Sequence, residues 1–243
     1  MSDFQRICGR VALVVALVTG LTAAPMSGLA QAGSGNPNPQ ILPVHSRPHG
    51  NTYGEWSARW SQWVFSIPAA VNPALDDTGA HCAEGQSGQV WFLAGSFGNA
   101  VSRTCTIPHG KALFFPIVAT SFGAAVFSCE PTNPGVPCDV AELRAAAAEA
   151  VDSVTLEASI DSAPLRNLND YRVPSPVFSV TLPEDNVLAI PSGIYAPMVS
   201  DGYWLMLAPL SAGAHTIHFK ATITSGPAEG FEIEITYHLT VGQ

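Results

Sequence analysis

The chain is poor in basic residues and in charge generally. It contains 10 Lys and Arg against 19 Asp and Glu in 243 residues, and its formal net charge is −9 at pH 7. A surface this acidic repels phosphate backbones and anionic lipid headgroups. The composition therefore argues against nucleic acid as a partner.

Long apolar runs are also scarce, and the one that stands out lies at the N-terminus. Arg6 and Arg10 form a positive region, residues 11–24 are apolar, and Ala30-Gln31-Ala32 matches an A-x-A cleavage site. This three-part pattern predicts a secretory signal peptide over residues 1–32 and a secreted or periplasmic protein. No later stretch is long and apolar enough to span a bilayer, so we expect no stable membrane insertion after cleavage.

Cysteine is rare, and four of the five cysteines follow the predicted cleavage site. An even number in an exported protein predicts two disulfides. We favour the pairs Cys82–Cys105 and Cys129–Cys138, because each pair brackets one local excursion of the chain. The alternative is a four-thiolate metal site, which the absence of a C-x-x-C spacing disfavours. We predict no cofactor.

Three of the five tryptophans occur within eight positions of the segment TYGEWSARWSQWVFSIP, residues 52–68. Thr52 and Glu55 have the spacing of a capping box, and Pro68 ends the predicted helix. At 100° per residue, six apolar side chains fall within an arc of about 100°, as in a core-facing stripe. The stripe consists of Tyr53, Trp56, Trp60, Trp63, Val64 and Ile67. Phe65 is the one large apolar residue outside it.

Two interpretations of this helix are open. The stripe predicts that the helix covers a hydrophobic surface, because Val64 and Ile67 are not needed for stacking on a ligand. The alternative is a platform of exposed rings for a sugar or another flat ligand. We favour the core.

Turn residues and capping residues predict the structure of the chain around the helix. Residues 33–51 are rich in Gly, Pro and Asn and predict an extended lead-in. Asp139 and Glu142 predict the start of a second helix. Pro108-His109-Gly110 is a turn signal between two strands, and Asp201-Gly202 is a strong hairpin signal.

Many short alternating runs follow, of which FEIEITYHLTV near the C-terminus is the clearest. Strands of this kind at short intervals are typical of a β-sandwich. We therefore predict a single mainly β domain over residues 52–243, immunoglobulin-like or jelly-roll-like, with the Trp-rich helix and one further helix.

Two histidines lie on the polar faces of the last two predicted strands. If the loop Ser225 to Gly230 sets a register that pairs His218 with His238, the two imidazoles face each other and could hold a metal ion. Glu234 would be a diagonal third ligand. Because this ligand set is incomplete, we favour two surface histidines and predict no metal site.

Catalytic motifs are incomplete. GQSG (85–88) and GSFG (95–98) are near misses of the G-x-S-x-G nucleophile elbow and are better explained as turns. Several ionisable residues lie in predicted loops, where a hydrolytic site could be built on a rigid scaffold. These weak catalytic candidates are His81, His109, Asp76 and Asp77, with His49 and Glu84 near them in the sequence.

Three further features have a ligand interpretation beside a plainer one. Arg103 and Lys111 flank the 108–110 turn and could anchor an anionic ligand, although pairing with carboxylates is the commoner fate. The PEDN segment at 183–186 could bind Ca²⁺ through oxygen atoms, but a solvated turn is more common.

Four segments together resemble a family of exported prokaryotic proteins that are generally described as hypothetical. They are YGEWSARWSQWVFSIP, TGAHCAEGQSGQVWFLAG, RTCTIPHGKALFFPI, and SDGYWLMLAPLSAGAHTIHFKA followed by FEIEITYHLTV. The resemblance runs from Tyr53 to Val241 and implies a common exported domain. It implies no activity and transfers no catalytic residue.

Two classes of function follow. The first is a non-catalytic domain that binds a glycan or a cell-surface protein, favoured by the acidic charge, the many strands and the incomplete motifs. Its weak ligand-binding candidates are Trp56, Trp60, Trp63, Arg103 and Lys111. The second class is a secreted hydrolase or lyase with a loop site around Asp76–His109.

Overall fold

The structure is a computed structural model that describes residue 38 and residues 40–123, 139–226 and 228–243. The α-helices in these ranges are α1 (Tyr53–Ser66) and α2 (Val140–Glu149). The strands are β1 (Val90–Phe92), β2 (Ala100–Ile107), β3 (Ala112–Gly123), β4 (Val154–Ile160), β5 (Ala163–Pro164), β6 (Arg172–Pro174), β7 (Phe178–Leu182), β8 (Gly193–Leu207), β9 (Gly213–Ile223) and β10 (Glu232–Val241). Short 3-10 helices occur at Pro48–Gly50, Ala69–Val71 and Leu168–Tyr171. No helix in these ranges is long and apolar enough to cross a membrane.

The strands form two five-stranded sheets. Sheet A has the order β1-β3-β8-β6, with β7 also paired to β8, and sheet B has the order β2-β10-β9-β4-β5. Phe115 of sheet A stacks on Phe219 of sheet B, with ring centroids 5.2 Å apart. Ile117 and Ile235 are fully buried in the same core cluster. The predicted β-sandwich with two helices is confirmed.

Helix α1 covers the other face of sheet A. Successive residues of a strand point to opposite faces, so Phe114 lies on the face opposite to Phe115. Its ring stacks on Trp204 of β8 at 5.3 Å, and the Trp204 ring meets Trp60 of α1 edge-on at 5.4 Å. All six residues of the predicted stripe are at most 9% exposed. The core interpretation of the stripe is confirmed.

Both predicted capping boxes are present. The Thr52 hydroxyl accepts from Glu55 N–H at 3.2 Å, and the Glu55 carboxylate accepts from Thr52 N–H at 2.6 Å. The backbone N–H and the hydroxyl of Thr52 both donate to the Glu55 carboxylate, and these two bonds lower the pKa of Glu55. Asp139 and Glu142 make the same reciprocal pair at the start of α2. Each helix therefore begins where its local sequence satisfies the free backbone donors of the first turn.

Phe65, which lies outside the helical stripe, is half-buried against two clusters. It packs on the main core and on a smaller cluster in which β7 and β8 contribute Phe178, Val180 and Met198. The helix therefore contacts more of sheet A than its stripe alone predicts.

The hairpin predicted at Asp201-Gly202 is wrong. Strand β8 runs unbroken through this position and pairs with β3. A Cβ atom on Gly202 would lie 2.5 Å from the Cβ of Ala119, so the close approach of two strands, not a turn, requires this glycine. Asp201 instead accepts from Arg172 of β6, with Nε and Oδ1 3.2 Å apart.

The chain does turn at Pro108-His109-Gly110, but the flanking strands do not pair with each other. β2 lies in sheet B, parallel to β10, and β3 lies in sheet A. The turn therefore joins the two layers of the sandwich. Periodicity alone shows that two strands flank a turn, and the packing of distant strands decides which sheet each one joins.

Part of the lead-in belongs to the sandwich. Ile41 forms an antiparallel bridge with Leu207 at the end of β8, and Leu42 N–H donates to the Met206 carbonyl at 2.8 Å. Ile41 is fully buried. The predicted signal peptide and the predicted pair Cys129–Cys138 lie outside the described residues.

We expect Trp60→Ala to destabilise the protein by about 3–5 kcal/mol, because it removes a buried aromatic ring between α1 and sheet A. Denaturant unfolding measures the change. Ile194→Ala is the control, since Ile194 is 76% exposed and its truncation opens no cavity. A Trp60→Ala protein as stable as the control would contradict the core assignment.

Candidate binding groove

The three tryptophans of α1 do not form a platform. Their exposed fractions are 8% for Trp56, 9% for Trp60 and 7% for Trp63, and the rings of Trp60 and Trp63 are inclined by 62°. Each indole N–H donates to a backbone carbonyl at 2.9 Å. The acceptors are Pro48, Leu93 and Glu84, in the order of the tryptophans. The indoles therefore tie the helix to three loops, and stacking on a ligand face is not open to them.

Beside these rings lies an open groove of about 410 Å³, which we call the helix groove. One wall is the polar side of α1, and the other is the loop before β1. The rings of Trp56, Trp63 and Phe92 line the groove between these walls. The polar groups of the walls are contributed by Arg59, Gln62, Ser66, Ser87 and Gln89. Its size is in the range of small-molecule sites.

Among the described residues that line the helix groove, Arg59 is the one with a cationic side chain. Its guanidinium lies over the Trp56 ring, 5.3 Å from the centroid, and the residue is exposed. Among the described residues it makes no hydrogen bond, so its donors point to solvent or to a ligand. The neighbouring Gln62 amide donates to the Ser179 carbonyl at 3.0 Å, and its oxygen remains an acceptor.

The loop wall is held rigid by contacts inside the fold. The predicted disulfide Cys82–Cys105 is confirmed and joins the loop to β2. The Gln86 amide accepts from Phe92 N–H at 2.9 Å and donates to the Phe92 carbonyl at 2.8 Å. Gly85 has φ +61°, and a Cβ there would lie 3.1 Å from the Trp63 ring. The groove is therefore shaped before any ligand arrives, which lowers the ordering cost of binding.

Asp76 organises the beginning of the same loop. Its carboxylate accepts from Thr78 N–H at 2.9 Å and from His81 N–H at 2.8 Å. Burial acts to raise the pKa of Asp76, but these hydrogen bonds outweigh it and the pKa is lowered. Asp76 is therefore an ionised loop cap.

The other catalytic candidates are not gathered around it. Asp76 accepts a hydrogen bond from the backbone N–H of His81, while the His81 side chain acts on it only through its charge, and Asp77 accepts from the Asn99 amide at 3.2 Å. His109 is exposed on the 108–110 turn, and Glu84 is exposed. Within the described ranges, no hydrogen bond joins either imidazole to these carboxylates. His49 contacts Gln89 instead, with Nδ1 and Oε1 3.2 Å apart.

Arg103 of β2 is 1% exposed and is a structural cross-link. Its guanidinium donates to four carbonyls and one hydroxyl. These are Asp76 O at 2.6 Å, Ala94 O at 3.0 Å, Gly95 O at 2.9 Å, Ala74 O at 3.4 Å and Tyr237 Oη at 2.8 Å. Burial raises the pKa of Tyr237, whose hydroxyl donates in turn to the Ala94 carbonyl at 2.9 Å. Arg103 pairs with dipoles rather than a carboxylate, and it is not available to an anionic ligand.

Lys111 and the PEDN segment also make local contacts. The Lys111 ammonium donates to the Gly88 carbonyl. In the PEDN segment, Asn186 is buried and its amide donates to the carbonyls of Pro183 and Ile190 at 2.8 and 2.7 Å. The segment is a turn closed by its own asparagine.

The histidines of sheet B are not opposite each other. The register pairs His218 with Thr236 and His238 with Thr216, so the two histidines are offset by two residues on one face. Glu234, the expected third ligand, lies 3.2 Å from His218 Nε2 and 3.5 Å from the Lys220 ammonium. The His218 hydrogen bond and the Lys220 charge lower the pKa of Glu234. In the described part of the chain, no group of three or more His, Cys, Asp or Glu is placed to hold a metal ion.

One cluster was missed by the sequence analysis. His215 Nδ1 lies 2.7 Å from Asp161 Oδ2, and His215 Nε2 lies 3.3 Å from the Ser211 hydroxyl and 3.0 Å from the Ser211 carbonyl. The three residue types match a Ser-His-Asp triad. The contact with the Ser211 carbonyl argues against a triad, because a carbonyl accepts only from a protonated Nε2, which cannot act as a base. Both ring nitrogens of His215 are thus placed to donate, Nδ1 to Asp161 and Nε2 to the Ser211 carbonyl, so His215 forms a clamp between two acceptors.

Sequence spacing could not reveal this clamp. Asp161 has φ +49° in the turn that leads from β4 to β5, and its second oxygen accepts from Thr216 N–H at 2.8 Å. Only the pairing of β4 with β9 brings this turn to His215. The hydrogen bond to Asp161 raises the pKa of His215 against the opposing effect of burial. Burial acts to raise the pKa of Asp161, but the His215 and Thr216 bonds outweigh it and lower that pKa.

Comparisons with known proteins leave the chain without an assigned family. No protein-family model matches it, and no curated protein matches it. Among solved structures, the cysteine protease inhibitor EhICP2 from Entamoeba histolytica aligns with a TM-score of 0.21 and 10% identity, over 59% of this chain and 87% of that chain. A likeness this low carries no argument about the function.

We expect the clamp to stabilise the protein in a pH-dependent way. Because the folded pKa of His215 is raised, its contribution is full below the unfolded pKa and is lost as the pH rises through the folded pKa. The difference in melting temperature between wild type and His215→Gln should be larger at about pH 5.5 than at about pH 9. Since Asp161 is 44% exposed, the difference should stay within about 1 kcal/mol.

Differential scanning calorimetry of both proteins at each pH measures this difference. His238→Gln is the matched control, because His238 is an exposed histidine on the same sheet without a carboxylate clamp. A pH-independent difference for His215→Gln would contradict the charged clamp.

Arg103→Gln should cost at least about 3 kcal/mol, since it leaves buried carbonyls and the Tyr237 hydroxyl without their charged donor. The matched control is Arg166→Gln, the same chemical change at an exposed arginine. Urea unfolding of the two variants gives the difference. An Arg103→Gln protein within about 0.5 kcal/mol of the control would contradict the cross-link.

Proposed function

We propose that this disulfide-stabilised β-sandwich is exported and binds a glycan, without catalysis, in the helix groove. The A-x-A pattern at residues 30–32 and the Cys82–Cys105 disulfide support export, because disulfides persist in oxidising compartments. The resemblance to an exported prokaryotic family agrees with this and stays a prediction. The observation that carries the ligand class is a rigid polar groove with an exposed guanidinium, Arg59, that makes no hydrogen bond among the described residues.

The chemistry of the groove matches a neutral sugar. Sugar hydroxyls both donate and accept, and the groove offers donors on Arg59 together with donors and acceptors on Ser87 and Gln89. The aromatic edges of Trp56 and Trp63 provide apolar contact beneath them. The net charge of −9 repels anionic ligands at long range, which favours a neutral glycan.

The size of the groove favours a glycan over a cell-surface protein. About 410 Å³ lies within the volume range of small-ligand sites, which a short glycan can occupy. The hydrolase or lyase alternative has no comparable support, because among the described residues no hydrogen bond joins the imidazoles of His81 and His109 to the carboxylates around them.

We expect a glycan array probed with residues 33–243 to show a neutral oligosaccharide that also raises the melting temperature. Arg59→Gln should weaken its binding about tenfold, a loss of one charge-assisted hydrogen bond. Isothermal titration calorimetry measures the affinity. Arg166→Gln, outside the groove, should bind like wild type.

Two results would contradict the proposal. One is an array on which no glycan binds. The other is a glycan whose affinity is the same for wild type and Arg59→Gln, because such a ligand does not use the helix groove.

A further inference from the structure

A second concavity lies next to α1, lined by residues of its C-terminal half. It encloses about 230 Å³ and is bounded by α1, β3, the segment 95–97 and the start of β10. We call it the apolar cavity. Trp60, Val64 and Phe65 line it from the helix, Pro116 and Val118 line it from β3, and Phe231 closes one side.

The wall chemistry excludes charged ligands. None of the described residues that line the apolar cavity is Asp, Glu, Lys, Arg or His. The polar side chains among these lining residues are Ser96 and Ser121, so a charged group placed there would lose hydration without meeting an opposite charge. Four of the lining side chains are aromatic rings, namely Trp60, Phe65, Phe97 and Phe231.

Phe97 stands at the rim and is 57% exposed, although phenylalanine is among the most often buried residues. It lies in a constrained turn. The Ser96 hydroxyl donates to the Asn99 carbonyl at 3.0 Å, and Gly98 has φ +97°. Arg103 anchors the base of the turn through the Gly95 carbonyl. The exposed ring is thus presented by a rigid lip and not by a loose loop.

We propose that the apolar cavity is a binding site for an uncharged compound that carries one aromatic ring. An apolar cavity of about 150 Å³ binds benzene, and this one is somewhat larger. Aromatic pairs gain about 0.5–1.5 kcal/mol beyond the area they bury when they meet edge-on or offset, which favours an aromatic ring over an alkyl chain. The inference is independent of glycan binding in the helix groove.

Toluene is titrated into residues 33–243, and its binding is measured by saturation-transfer NMR and by calorimetry. We expect saturable binding of toluene, with binding of methylcyclohexane weaker by about twofold to tenfold and binding of benzoate weaker by about tenfold or more. The first comparison tests the aromatic preference, and the second tests the exclusion of charge. Equal affinity for toluene and methylcyclohexane, or for toluene and benzoate, would overturn the proposed ligand class.

Gly95→Leu is the blocking variant. Gly95 lines the cavity, and a Cβ at this position would meet only the Pro116 side chain, at 3.9 Å, so the larger leucine side chain is placed to fill part of the cavity. We expect it to abolish toluene binding. Phe97→Ala, at an exposed position that does not threaten folding, should weaken binding several-fold.

Ile194→Ala is the matched control, since it also removes an exposed apolar side chain but lies outside the cavity. It should bind toluene like wild type. Absence of saturable toluene binding to the wild type, or binding unchanged in both Gly95→Leu and Phe97→Ala, would overturn the site.

Discussion

The buried guanidinium of Arg103 is the interaction on which the loop geometry of this protein depends. A cation that is 1% exposed must have its donors satisfied, and here the carbonyls of two loops and one hydroxyl of β10 do so. The loops carry Asp76, which caps the wall of the helix groove, and Gly95, which lies at the base of the cavity lip. The buried Arg103 guanidinium therefore fixes the position of loops near both candidate sites relative to sheet B.

Helix α1 separates the two sites and gives each a different chemistry. Its indole rings face sheet A, and their N–H groups are used by backbone carbonyls, so the helix cannot rotate without breaking three hydrogen bonds. The polar side of the helix then forms one wall of the helix groove. Phe65, at the margin of the apolar stripe, reaches the apolar cavity. A polar and an apolar candidate site can both adjoin α1 because its apolar stripe occupies only part of the helix circumference.

Features that depend on local spacing were predicted from the sequence. The capping boxes at Thr52 and Asp139, the stripe of α1, the alternation of β10 and the pair Cys82–Cys105 are all confirmed. Each follows from a helix period of 3.6, a strand period of 2 or a short loop between cysteines. For the helix groove, Arg59 was not singled out and Ser87 was considered only as the serine of the GQSG near miss, because an exposed polar side chain carries no pattern of its own.

Tertiary packing determined the strand pairing and burial that helix and strand periods do not specify. Asp201-Gly202 is a hairpin signal by itself, yet it lies inside β8, because pairing along the whole of β3 outweighs a local turn preference. Strand register placed His238 opposite Thr216 and brought Asp161 to His215. The residue type alone does not distinguish a buried arginine from an exposed one. Only the fold, through long-range strand order and burial, assigned Arg103 to the interior and left Arg59 exposed in the helix groove.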